Sequence, residues 1–174
     1  HCWAMLERLP AILDSFAQLP EPTLLFCRSD PRFANVIQRL DGRLALVDWE
    51  DSGLRDPARD VADLLTHPNQ EDLLSEAEWE AFVRPYTTTR LKTDPHFTER
   101  VHHHLALFPV FWLLGLLNYG VNHFHAGNSL KGWQPNHIPV NIQLQRYLAR
   151  ATCWPAPPTA VDQASLAQLR FFPD

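Results

Sequence analysis

The sequence predicts an α+β fold that is mainly α: a small β-hairpin region followed by a helical bundle. Three observations carry that expectation. Apolar residues recur at helical spacing near the N-terminus and throughout the second half. A short apolar run and an Asp-Gly turn between two further runs mark strands between residues 24 and 47. The 174 residues, 45% hydrophobic and 20% charged, suffice for one domain with a real core and are too few for two of ordinary size.

Each element has a local reason. Trp3, Leu6, Leu9, Ile12, Leu13 and Phe16 predict an amphipathic helix over Cys2 to Ala17, bent at Pro10 and ended by Pro20 and Pro22. Leu24 to Cys27 reads as a short buried strand, followed by an irregular stretch from Arg28 to Asn35. Val36 to Leu40 and Arg43 to Val47 flank Asp41-Gly42 and form a hairpin. Ser52 to Asp56 reads as a loop, and Pro57 opens a helix running to about Thr66. Ser75 to Tyr86 starts with a near capping box. Phe97 to about His125 is a long apolar helix. Asn136 to Ala151 is another, broken near its start by Pro139, and Ser165 to Phe171 a last short one. Fifteen prolines predict short elements and many loops.

Composition excludes several classes. A net charge of -5 disfavours a nucleic-acid-coating surface. Cys2, Cys27 and Cys153 form no Cys-x-x-Cys, a poor disulfide framework that fits a reducing, cytoplasmic setting and argues against a zinc site. Leu105 to Leu117 is shorter than a membrane span of about 20 residues and contains Pro109, so it reads as a buried helix. No signal peptide is visible.

The chemistry concentrates in the hairpin region. Asp30 follows the first strand, Asn35 comes five positions later, and Asp48 closes the hairpin thirteen positions after that. A hairpin brings its ends together, so two carboxylates and an amide converge. A Mg²⁺ ion takes such oxygen ligands, and a hydroxyl nucleophile needs a carboxylate to orient it and accept its proton.

At these residues the chain resembles the aminoglycoside phosphotransferase/choline kinase-like family, relatives of protein kinases. That family carries an H-G-D-x-x-x-x-N loop, a hairpin, an I-D-W/F-x-D segment and G-x-x-D-P-x-x-D-L-A. Here the sequence runs Arg28-Ser29-Asp30, Asn35, Val47-Asp48-Trp49-Glu50-Asp51, then Gly53-Leu54-Arg55-Asp56-Pro57-Ala58-Arg59-Asp60-Val61-Ala62. The match is continuous from Leu24 to Leu65. Order, spacings and tail agree together, which makes the resemblance specific.

The resemblance implies the large, C-terminal lobe of a kinase-like fold over residues 1–174, with catalytic and metal loops in 24–65 and a helical remainder in 70–174. It implies Asp30 as the base, Asn35 and Asp48 as ligands of Mg²⁺, and ATP or GTP as donor to a hydroxyl of a small substrate. It implies Asp60 as the brace of the catalytic loop, with Asp56-Pro57 as the turn before its helix. Arg28 stands where the family has His and is expected to pair with Asp60 through its guanidinium; Ser29 stands where it has Gly. Glu50 and Asp51 are expected to support metal or a cationic substrate, which the acidic pI near 6.0 also favours. No G-x-G-x-x-G is present, and the small nucleotide lobe is expected to be missing from this chain, leaving it inactive alone, completed by a partner lobe or paired as a homodimer. No nucleic-acid or membrane partner is expected. The rival reading is a catalytically inactive pseudokinase-like lobe that binds proteins, and a third is a helical interaction domain with an accidental motif.

Other features have structural readings. His102, His103 and His104 point in different directions on a helix and cannot chelate together. Trp49 and the Phe108, Phe111, Trp112 stripe read as core. Glu71, Asp72, Glu76, Glu78 and Glu80 form an acidic run, expected to be a solvated face, with a polycationic substrate as the alternative.

Overall fold

The computed structural model describes residues 2–70, 72–125 and 140–153. Their order is α1 (Cys2–Ala17), β1 (Leu25–Cys27), β2 (Val36–Gln38), β3 (Leu44–Leu46), β4 (Gly53–Arg55), α2 (Pro57–Thr66), α3 (Glu76–Leu91), α4 (Phe97–His125) and α5 (Val140–Cys153), with 3₁₀ turns at Phe33–Asn35 and Pro68–Gln70. The α+β, mainly helical architecture is the one the pattern predicts. The helix expected over Ser165 to Phe171 lies outside the described residues, as does the start of the one expected from Asn136.

Two small antiparallel sheets frame the site. In one, β2 pairs with β3 so that Val36 faces Leu46 and Gln38 faces Leu44. Gly42, at φ +80°, turns the chain between them, and the Arg39 amide donates to the Arg43 carbonyl at 2.8 Å. In the other, β1 pairs with β4, Leu25 with Arg55 and Cys27 with Gly53. This corrects the loop expected over Ser52 to Asp56. Three residues, Gly-Leu-Arg, are too few to show alternation, and their partner strand, Leu25–Cys27, lies on the far side of the hairpin in sequence. Nor is β1 fully buried: Phe26 is exposed and Cys27 buried.

Prolines do not shorten the helices as expected, since Pro10, Pro85 and Pro109 lie inside α1, α3 and α4. Neighbouring packing holds those helices together across the missing amide. Helix α3 runs past Tyr86 to Leu91, and its start has the full capping box: Ser75 accepts from the Glu78 amide while Glu78 accepts from the Ser75 amide.

Helix α4 is the spine. One stretch packs Phe97, Val101, Leu105 and Phe108 against Ala58, Val61, Ala62 and Leu65 of α2 and Trp79 and Val83 of α3. Its next turns pack Val110, Leu113 and Leu116 against Tyr147 and Ala151 of α5. By length and hydropathy the segment Phe97–Asn122 could cross a membrane, but this face of it lies in the core. Phe111 departs from the core reading: it is 52% exposed, while Phe108 is buried.

Helix α2 is tied at both ends. Its N-cap Asp56 accepts from the Ala58 amide at 3.0 Å, with Pro57 in the first turn. The other carboxylate oxygen accepts from Arg100 Nε at 2.9 Å, and the buried Arg100 also pairs with Asp94. At the far end Tyr147 Oη donates to the Thr66 carbonyl at 2.6 Å. Asp56→Ala removes a helix cap and leaves Arg100 with half its partners. We expect a loss of about 2–4 kcal/mol of stability, read from urea unfolding, against less than about 0.5 kcal/mol for Asp41→Ala in the exposed hairpin turn.

Candidate active site

The loop after β1 is held by the first turn of α2. Asp60 Oδ2 accepts from the backbone amides of Arg28 at 2.9 Å and Ser29 at 3.3 Å. Ser29 stands at φ +65°, the left-handed region. Glycine reaches that region without a Cβ clash, so a serine here carries strain of about 1–2 kcal/mol. The two amides gripped by Asp60 offset it. Asp48, the other expected acid, also stands at φ +65°, a conformation aspartate tolerates better than most residues.

The expected pairing of the Arg28 guanidinium with Asp60 does not form. Arg28 uses its backbone instead, and its side chain crosses to the hairpin. There Nη2 donates to the carbonyls of Val47 at 2.5 Å and Asn35 at 3.5 Å, and the guanidinium lies 5.8 Å from the Trp49 ring. The main-chain amides of Arg28 and Ser29 take Asp60 Oδ2 and leave its buried Oδ1 unpaired among the described residues, while the guanidinium finds the Val47 carbonyl and the Trp49 ring at the open end of the hairpin. Trp49 is correspondingly not core. It is 44% exposed, stacked on Phe26 at 6.1 Å, with Nε1 donating to the Leu46 carbonyl.

Asp30, Asn35 and Asp48 are brought together. Asn35 is buried, and its Nδ2 donates to Asp30 Oδ2 at 3.0 Å. Its carbonyl accepts from the Val47 amide at 3.0 Å, which sets Asp48 beside it. Arg32 completes the group. Its Nε donates to both Asp30 oxygens at 2.7 and 2.8 Å, and its Nη2 pairs with Asp30 and reaches Asp48 Oδ2 at 3.2 Å. The hydrogen bond to Asp30 raises the Arg32 pKa further. A cation bridging two carboxylates shows a place where positive charge is stabilised. Hard oxygen donors of this kind suit Mg²⁺.

No motif marks the residues that support this group. Gln70, almost fully buried, accepts from the Phe33 amide at 2.8 Å and donates to the Leu64 carbonyl at 2.9 Å, anchoring the loop between Asp30 and Asn35. Phe33 stacks on Trp79 at 5.4 Å. His67 caps α2 and turns Nε2 toward Asp30 Oδ1 at 3.8 Å. Its Nδ1 accepts from the Asn69 amide at 3.1 Å, so the neutral ring carries its proton on Nε2. Burial holds that ring neutral, pushing its pKa down to about 4 against the pull of Asp30. A repeat of four residues along α2 was the only available signal: Arg59, Asp63 and His67 share one stripe.

That stripe, with Asp30, Phe111 and Trp112, bounds a cleft of about 270 Å³. The exposed Asp51 and Arg55 also line it. Glu50 is exposed and is not among its described lining residues. Among the described residues no group of three or more His, Cys, Asp or Glu side chains is arranged to hold a metal. The three consecutive histidines indeed diverge: His103 Nδ1 contacts the Glu99 carbonyl, and His104 reaches Asp56 at 3.5 Å. The acidic run is engaged by the protein itself, Glu78 in the capping box and Glu80 with Arg84 locally, and Asp72 with Arg146 of α5. Glu71 lies outside the described residues.

The profile of the phosphotransferase enzyme family matches residues 2–104, more than half of the chain. The chain belongs to that family. The matched stretch contains every element that builds the site except the far side of the cleft. No curated protein matches the chain. Among solved structures, a choline/ethanolamine kinase family protein from Mesorhizobium loti superposes with a TM-score of 0.55 at 23% identity. The alignment covers 84% of this chain and 44% of that one, so this phosphotransferase-family chain spans less than half the length of its structural neighbour. At this identity the likeness speaks for the kinase-like fold.

Two outcomes test the local reading. Ser29→Gly should raise stability by about 0.5–1 kcal/mol, and Ser29→Val should lower it by about 2 kcal/mol, because only the first relieves the left-handed backbone; urea midpoints read both. Burial pushes the Asp63 carboxyl up to about 7 from 3.8. A raised acid favours its protonated form in the fold, so its contribution is full below pH 3.8 and lost as pH rises to about 7. Asp63→Asn should therefore gain stability relative to wild type between pH 4 and 7 and hold a constant advantage above. A difference independent of pH would contradict that burial.

Proposed function

We propose that this chain forms the catalytic lobe of a small-molecule kinase, transferring the γ-phosphoryl of ATP or GTP to the hydroxyl of a small substrate. One observation carries the reading: Asn35 bonds Asp30, Arg32 bridges Asp30 to Asp48, and a carboxylate on the following helix grips the loop that presents them. Asp30 would orient the hydroxyl and accept its proton. Asn35 and Asp48 would hold Mg²⁺, which when bound neutralises charge on the phosphates. Arg32, now paired with both acids, is placed to turn its guanidinium toward the incoming phosphates. Asn35 Nδ2 keeps Asp30 oriented by donating to its Oδ2.

A second lobe is part of the proposal. Phe26 and Leu54, cross-strand partners in the β1–β4 sheet, and Trp49, stacked on Phe26, expose apolar side chains beside one another, an apolar patch of the kind that marks an interface. The nucleotide would bind between that lobe and the Asp30 loop, supplied by a longer protein containing this chain or by a partner chain.

The experiment is phosphoryl transfer by the protein in its full length, followed as ADP release with Mg-ATP over a panel of alcohols. Asp30→Asn should reduce kcat by about 10²–10⁴-fold, and Asp48→Ala should abolish turnover with the fold intact. Wild-type turnover in Asp48→Ala would remove the metal assignment. Absence of transfer in the wild type would favour the inactive, protein-binding lobe.

A further inference from the structure

Four residues that line the cleft beside Asp30 carry buried polar atoms that the loop and helix packing leaves unused, Ser29 Oγ on the catalytic-loop side and three more on the helices. Asp63 is 4% exposed, and its Oδ1 has no hydrogen-bond partner among the described residues. Arg59 Nη1 and Trp112 Nε1 are likewise buried and without one. All three residues line the same cleft. Leaving such atoms unsatisfied is costly, and a native structure that does so repeatedly in one cavity has either water or a ligand in mind for them. Between them they offer one acceptor in Asp63, two N–H donors in Arg59 and Trp112, and a Ser29 hydroxyl that can do either. A hydroxyl group is the simplest partner that both donates to Asp63 and accepts from a neighbouring N–H.

Rings and charges narrow the class. Phe111 is half-exposed and lines the cleft, and Trp112 stands edge-on to His67 with centroids 4.5 Å apart. Aromatic faces at that position suit C–H groups of a saturated ring. Asp51 and Asp63 are balanced by Arg55 and Arg59, and Asp30 is paired with Arg32. The elevated pKa of Asp63 reduces its negative charge further. A multiply charged cation would meet two guanidinium groups at close range, whereas an uncharged ligand meets none of that repulsion. The volume, about 270 Å³, lies at the small end of ligand cavities.

We propose that Arg59, Asp63 and Trp112 form the acceptor-recognition subsite of this lobe, and that the acceptor is an uncharged polyhydroxylated ring of about monosaccharide size. One hydroxyl bonds Asp63 and Trp112 while another faces Asp30. The proposal rests on the phosphotransfer reading for the fate of that second hydroxyl, and on the cleft alone for binding. It differs from the cationic acceptor that overall acidity suggests.

Binding separates the two. Ligand-observed saturation-transfer NMR on this chain would use D-ribose and myo-inositol as probes, with choline and kanamycin as cationic competitors. At least one polyol should bind, without displacement by either cation. Trp112→Phe, which keeps a ring and loses only the N–H, should weaken it about tenfold. Asp63→Leu should do the same or more, and it removes a buried acid, so its folding is not at risk from a lost pair. Asp48→Ala should retain polyol binding even though it abolishes transfer in the full-length protein; a loss of transfer there with binding intact assigns the two roles to different residues. The subsite is overturned if no polyol binds, if choline or kanamycin takes the cleft instead, or if folded Trp112→Phe binds as wild type does.

Discussion

Two hydrogen bonds from the backbone of Arg28 and Ser29 to Asp60 hold the site in its shape. Without them the loop after β1 has no reason to keep Ser29 at φ +65°. Asp30 is the next residue, so its direction follows from that turn. Asn35 is then set by its bond to Asp30, and Asp48 by the pairing of Asn35 with Val47 across the hairpin. The chain of dependence runs from one carboxylate on α2 through a strained turn to the three side chains of the candidate site. It explains why α2 is tied so firmly, by Asp56 to Arg100 at one end and by Thr66 to Tyr147 at the other. A helix that shifted by a fraction of a turn would release the loop.

The electrostatics of the site follow from the same convergence. Asp30 and Asp48 are drawn close enough for one guanidinium to touch both, and Arg32 holds that place. Like charges brought together need a cation. Under the proposed phosphotransfer, Arg32 would compete with a divalent ion for these acids and would be free to turn toward the phosphates that came with it. On the other side of Asp30 the environment is drier. His67 is kept neutral and Asp63 is pushed toward protonation by burial. The two sides of one aspartate thus differ in polarity, as suits an ionic donor on one side and an uncharged hydroxyl on the other.

Much of this was legible in the sequence, for local reasons. Helix α1, helix α2 and helix α4 follow from apolar spacing with clear boundaries, and Asp41-Gly42 marks the hairpin because few other residues accept that turn. The spacing of Asp30, Asn35, Asp48 and Asp60 is a chain-order pattern and survives without knowledge of packing. What escaped is long-range. Strand β4 exists because β1 supplies its partner, and three residues show no period. Arg28 reaches Asp60 through its backbone amide and sends its guanidinium to the hairpin carbonyls, a choice between two distant partners that no local spacing encodes. Trp49 and Phe111 look like core by type, yet one lies on a sheet with no covering layer and the other beside a cleft. Gln70 serves the site through a single amide that no motif encodes.

The most direct test of the central claim replaces Mg²⁺ by Mn²⁺ and watches where the metal sits. Titrating Mn²⁺ into isotopically labelled protein broadens resonances near the ion. The account predicts that the Asn35 side-chain amide and the backbone signals of Asp30 and Asp48 broaden first, and that Asp48→Ala abolishes this. Broadening centred on the acids of α3, or unchanged by loss of Asp48, would show that the converging residues hold no metal and that the site does not work as a phosphotransferase centre.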